Sequence, residues 1–228
     1  MGKTIDLQAK DGHTLGAYLA EPSGKPRGAV VVVQEIFGVT GHIRAICDDY
    51  AAQGYLTIAP SLFDRFERGV ELPYGQDGVS RGAIFAKRLE LGAAVQDIQA
   101  AIDRVSAAGS GVGLVGYCYG GTLAWLCAAQ CEGLSCVSSY YGSHVVHLLD
   151  RTPRVPIILH FGERDAMIPA ASVDKIRAAH PSLPVYLYAA EHGFNCTERP
   201  SYDAASAALA RERTLSLFAQ QIGAAARS

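Results

Sequence analysis

The sequence predicts a three-layer α/β sandwich: an open, mostly parallel sheet of about eight strands with helices on both faces. Three observations predict it. The runs 29–33 (AVVVV) and 112–117 (VGLVGY) are continuously apolar, the pattern of central strands covered on both faces. Stretches of helical periodicity separate such runs. Only the first two segments, 4–9 and 14–20, alternate polar with apolar residues, and Asp11-Gly12 between them marks an antiparallel hairpin. With 228 residues, 49% hydrophobic and 18% charged, the chain has the material for one large core, and a single domain over 1–228 is expected.

The elements follow in order. Strand 29–33 ends in Gln34-Glu35-Ile36-Phe37-Gly38, and a helix is expected over 42–53, stopped by Gly54. Strand 55–59 closes at Pro60. Residues 61–80 lack clear periodicity and carry Gly69, Pro73, Gly75 and Gly78, which reads as a long loop, the one place with spare length for a cover over a site. A helix from Gly82 to Ser106 follows, with Ala94, Val95, Ile98, Ala101, Ile102 and Val105 on one stripe. Beyond strand 112–117 come a helix, strands at 134–140 and 155–161, a helix at 172–179, a last strand at 185–189 and a closing helix at 201–222.

Charge and composition narrow the function classes. A net charge of −2 without a basic block disfavours nucleic acid and anionic membrane surfaces. No apolar run approaches the ~18 residues of a membrane span, and the first residues carry no signal-peptide core. A cytoplasmic protein with a small-molecule partner is expected, and the oligomeric state is left open. None of the six cysteines forms a C-x-x-C pair. Cys127 and Cys131, one helical turn apart, have no histidine at ligand spacing and read as core. Free thiols, no metal and no cofactor are expected.

In open parallel sheets, chemistry collects at the carboxyl ends of the strands. Four polar residues fall just beyond strand ends: Glu35, Cys118, Asp165 and His192. Cys118 is the centre of Gly-Tyr-Cys-Tyr-Gly, placed between strand and helix as a nucleophile elbow requires. His192 alone among the seven histidines follows the last strand and precedes the closing helix, which suits a general base. Asp165 sits in a turn closed by Pro169 and would orient that base, with Glu163 as its rival. His160 lies within a strand and reads as structural. The order nucleophile, acid, histidine is that of the α/β-hydrolases. Glu35, directly after an apolar strand, should have a raised pKa from poor solvation and could assist thiol activation; the alternative is a salt bridge to Arg44 or another arginine. The backbone N–H groups of Ile36 and Tyr119 would form the oxyanion hole.

The stretches VVVQEIFGVTGHIR, GYLTIAPSLF, VGLVGYCYGGTLAW, YYG, HFGERDAMIP, AEHGFNC and SYDAASAALARERTLSLF resemble the dienelactone hydrolases (carboxymethylenebutenolidases), from about Ile5 to Phe218. The resemblance implies an α/β-hydrolase fold, a triad of Cys118, Asp165 and His192, an activating Glu35, and hydrolysis of a cyclic enol-ester to an open-chain keto acid. It implies substrate contacts from Phe37 and from Arg81, which matches one of two carboxylate-binding arginines of the family. The second of those positions holds Cys196, and Arg199 lies nearby in the chain. Competing readings are a broader carboxylesterase or thioesterase, a non-catalytic binding module, and a thiol redox sensor pairing Cys118 with Cys196.

Overall fold

The structure is a computed structural model that describes residues 2–108 and 110–222. Its eight strands are β1 (Lys3–Gln8), β2 (Thr14–Ala20), β3 (Ala29–Val33), β4 (Leu56–Pro60), β5 (Val112–Tyr117), β6 (Leu134–Tyr140), β7 (Ile157–Gly162) and β8 (Val185–Tyr188). They form one sheet in the order β1-β2-β4-β3-β5-β6-β7-β8. The first hairpin pairs antiparallel, β2 also meets β4 antiparallel, and every later pairing is parallel. The apolar runs take the centre as expected: every residue of β3 and β5 is buried.

Helices α1 (Gly41–Ala52), α2 (Gln76–Arg88), α3 (Leu91–Ser106), α4 (Tyr119–Gln130), α5 (Ala170–Ala179) and α6 (Ala204–Gln221) complete the described elements. The closing helix begins where Asp203 accepts a hydrogen bond from Ser206 N at 2.8 Å, which satisfies one of the free amides of its first turn. It returns to α1 through the Arg211–Asp49 pair and through Phe218, whose buried ring meets Tyr50 and Tyr55. On α3 the expected stripe is buried except for the half-buried Val95, and Asp97 on the same face is held by a two-pronged bond from Arg65. No helix among the described residues is long and apolar enough to cross a membrane.

The region 61–106 differs from expectation. The spare loop is shorter than 61–80: a 3-10 turn covers Leu62–Arg65, and α2 already begins at Gln76. Arg81 therefore lies inside α2, not in a loop before a helix starting at Gly82. The expected single helix is two, because Leu89 and Glu90 leave helical geometry with ψ of 113° and 130°. Of the glycines read as loop signals, Gly69 and Gly75 have open space around them, whereas Gly78 serves close approach, as does Gly82. A Cβ on Gly78 would stand 1.8 Å from the Pro73 carbonyl oxygen, and one on Gly82 2.1 Å from that of Ile36. Thus α2 is pressed onto the loop that follows β3.

Candidate active site

The elbow is built by backbone crowding. Cys118 has φ 54° and ψ −113°, a left-handed conformation that costs a non-glycine residue energy. A Cβ on Gly116 would lie 2.0 Å from the Gly120 oxygen, and one on Gly120 2.4 Å from the Val33 oxygen. Hydrogen alone fits at both, so α4 starts against the ends of β3 and β5. The Cys118 N–H donates to the Tyr140 carbonyl at 3.0 Å, which fixes the turn to β6.

Asp165 and His192 arrive from the ends of β7 and β8. One Asp165 oxygen accepts from Met167 N at 2.8 Å and Ile168 N at 3.2 Å; the other meets His192 Nδ1 at 2.7 Å. Its rival Glu163 is exposed. His192 Nε2 stands 3.2 Å from Cys118 Sγ, so thiol, imidazole and carboxylate form one line with all three residues buried. Burial by itself would lower the His192 pKa. The charge of Cys118 and the hydrogen bonds from Asp165 and Cys118 outweigh it and push the pKa up to about 10.

Glu35 is 1% exposed, and neither carboxylate oxygen has a hydrogen-bond partner. Burial raises its pKa, against the pull of the Arg199 and His192 charges. Arg44 is engaged elsewhere, donating to the Val39 carbonyl and to Glu71. The guanidinium nearest Glu35 is that of Arg199, with Nη1 3.7 Å from Oε1. Arg199 lies over the Phe37 ring at 5.8 Å and against Gly193, where a Cβ would stand 2.4 Å from Nη1. Phe37 is buried and tilts against Tyr74, ring centroids 4.6 Å apart.

Arg81 is not brought to this cluster by any contact of its side chain. It is half-exposed, paired with Glu67, and stacked over Phe85 at 5.5 Å. Phe85 packs on Phe63, and Phe63 on Tyr119, so Arg81 reaches the elbow only through two layers of aromatic rings. Cys196 is buried near Glu35, and burial first and Glu35 second push its thiol up to about 11. The loop carrying Ile36 is held by Gln34, whose amide donates to the Glu35 carbonyl and accepts from Leu62 N. Tyr119 opens α4, where first-turn amides have no partner within the helix.

Sequence reasoning passed over Tyr141. It has φ 39°, is fully buried, and sets its ring edge-on to His192 at 5.0 Å. Its only sequence signal was a place in YYG directly after a strand.

The dienelactone hydrolase family profile matches residues 15–222. Carboxymethylenebutenolidases of Pseudomonas putida and Pseudomonas knackmussii are 38% identical over 226 residues, covering 94% of this chain and 95% of theirs. A Klebsiella pneumoniae crystal structure assigned to the dienelactone hydrolases superposes with a TM-score of 0.84 at 28% identity, over 96% of this chain and 99% of that one. A metagenomic dienelactone hydrolase-like promiscuous phosphotriesterase, 19% identical, shares the fold with a TM-score of 0.75 over 97% of this chain and 99% of that one. This chain belongs to the dienelactone hydrolase family of the α/β-hydrolase fold and is a hydrolase of ester bonds.

Proposed function

We propose that the protein hydrolyses a small carboxylate-bearing ester, of which an enol-lactone such as a dienelactone is the type, with Cys118 as nucleophile, His192 as base and Asp165 as its orienting acid. The observation that carries this is the unbroken line from Asp165 through His192 to Cys118, at 2.7 and 3.2 Å. With its pKa pushed up to about 10, His192 is held as the imidazolium that a leaving oxygen needs as proton donor at neutral pH.

The sulfur attacks the ester carbonyl, and the carbonyl oxygen takes up the charge between the N–H groups of Ile36 and Tyr119. Collapse breaks the carbon–oxygen bond, His192 gives its proton to the leaving oxygen, and a thioester on Cys118 remains. Water, losing a proton to His192, attacks that thioester and releases the acid and the thiolate. Asp165 keeps its charge throughout and stabilises the imidazolium.

Arg199 is the cation best disposed to meet a substrate carboxylate, since it is only 20% exposed and stands between Glu35 and the Phe37 ring. A guanidinium holds a carboxylate with two parallel bonds. Arg81 would contribute only by exchanging Glu67 for the substrate. Glu35 is the ion-pair partner that an incoming anion would compete with for Arg199, at 3.7 Å and without a hydrogen bond, and its share in thiol activation is secondary to that of His192. The redox-sensor reading is disfavoured, because a resolving cysteine acts as a thiolate and Cys196 is held as a thiol.

A panel of acidic lactones and neutral aryl esters tests the proposal with wild type, Cys118→Ala and Arg199→Ala. Cys118→Ala should abolish turnover of both classes. Arg199→Ala should raise KM for the acidic lactone by tenfold to a hundredfold, about 1.5–3 kcal/mol for one charge-assisted hydrogen bond, and spare the aryl ester. Equal effects on both classes would remove the carboxylate from the proposal and leave a general esterase or thioesterase.

A further inference from the structure

Among the described residues, six buried side-chain nitrogen or oxygen atoms lack a hydrogen-bond partner. Three of them belong to residues packed against His192 or Arg199: both oxygens of Glu35 and the hydroxyl of Tyr141. A buried polar group without a partner is costly, and proteins seldom keep one without a use for it. Tyr141 is the most strongly enforced of these. Besides Cys118, it is the only described residue other than glycine with positive φ. Its N–H donates to the His160 carbonyl at 2.8 Å, and the next residue, Gly142, is wedged against Gly121, with a Cβ there 2.7 Å from the Gly121 carbonyl carbon. Its ring is enclosed by His192 at 5.0 Å, Phe194 at 5.3 Å and Tyr117 at 6.3 Å.

The His192 ring that it packs against stands 3.2 Å from Cys118 Sγ, so Tyr141 belongs to the wall around the nucleophile, with its hydroxyl unpartnered there. Burial, the largest influence, holds the phenol well above its ordinary pKa, so its proton stays in place at any working pH. The backbone is thus strained to hold a permanent, unpaired donor beside the nucleophile.

We propose that the Tyr141 hydroxyl is a specificity-determining substrate contact that, together with Arg199, donates a hydrogen bond to the carboxylate of an acidic ester substrate. This rests on the carboxylate reading given above and adds a second donor to it. A neutral phenol and a cationic guanidinium acting together would select a small anionic acceptor. A site with a buried unpaired donor rejects analogues that cannot accept from it.

Tyr141→Phe keeps the ring against His192 and removes only the donor. Its kcat/KM on an acidic enol-lactone should fall tenfold to a hundredfold, mostly through KM, with a smaller fall on p-nitrophenyl acetate. Its thermal midpoint should not drop, since no bond within the protein is lost. An equal fall on both substrates with a lowered midpoint would show a structural hydroxyl and overturn the proposal. So would an unchanged kcat/KM on the lactone while Arg199→Ala raises KM, an outcome that leaves the carboxylate reading standing. If Arg199→Ala and Tyr141→Phe both treat acid and neutral substrates alike, the carboxylate reading falls and this assignment falls with it.

Discussion

Two buried histidines divide the polar interior of this protein into regions of opposite character. His160 lies on β7 in a closed set of hydrogen bonds, and His192 lies beyond β8 among groups that lack partners. Around His160 the direction of every bond follows from its donors. Arg213 donates to the Tyr188 hydroxyl at 3.0 Å, so the Tyr188 proton points to His160 Nδ1 at 2.7 Å. Nε2 then carries the ring proton and donates to Ser138 Oγ at 3.1 Å. Ser138 and Tyr140 donate to Thr214, which passes its own proton to the Ala210 carbonyl at 3.0 Å. Burial, with Arg213 beside it, pushes the His160 pKa down to about 3, whereas that of His192 is pushed up to about 10.

The same buried side chain is thus pushed toward the neutral form in one place and toward the charged form in the other. The difference lies in what faces it: neutral hydroxyls and a cation around His160, a thiol and a carboxylate around His192. A satisfied network rigidifies the sheet behind the elbow. An unsatisfied one leaves donors and acceptors for a substrate.

Replacing the two histidines should separate these roles most widely. His192→Gln should lower kcat/KM by about three to four orders of magnitude with little change in thermal midpoint, and adding Cys118→Ala should cost little more. Asp165→Asn should cost less than either. Independent, multiplicative losses in the double variant would contradict a shared step.

His160→Leu should instead cost about 3 kcal/mol of stability, because the Tyr188 proton loses its acceptor and Ser138 Oγ its donor in the core. His160→Gln should recover part of that. Denaturant unfolding measures it, and a large loss of turnover per folded molecule in His160→Gln would break the division between the two regions.

Acid titration sharpens the comparison. A histidine whose pKa is lowered by folding binds its proton in the unfolded chain first. His160 should therefore subtract about 1.4 kcal/mol per pH unit as pH falls from ~6.5 toward 3. His192 has the opposite sign: its contribution is full below ~6.5 and is lost as pH rises through about 10. Arg213→Leu should have the smallest effect, about 1 kcal/mol. It should also let the His160 pKa rise, since the guanidinium is one of the causes holding it down.

The sequence made the line from Asp165 through His192 to Cys118 readable because strand ends and turn chemistry leave a periodic trace. Cys118, Asp165 and His192 each follow an apolar run, and the sheet order converts that shared place in the pattern into proximity in space. Arg81 and Arg199 were harder, because the reach of a long side chain depends on its competitors. Glu67 draws Arg81 to the surface, and Gly193 gives Arg199 room beside Glu35, neither of which periodicity records. The break between α2 and α3 was hidden because Leu89 and Glu90 are ordinary helix formers, and only packing expels them from the helix. Tyr141 was hidden for another reason: a missing hydrogen bond is a property of the folded interior alone.

Histidine-selective nitrogen NMR between pH 5 and 9 tests the central claim most directly. His192 should show imidazolium shifts across the whole range, and His160 the neutral Nε2–H tautomer across the same range. In Cys118→Ala the His192 pKa should fall, because the thiol's charge is the largest influence raising it. A His192 that titrates near ~6.5 in wild type, unmoved by Cys118→Ala, would contradict the coupled imidazole and cysteine on which this account depends.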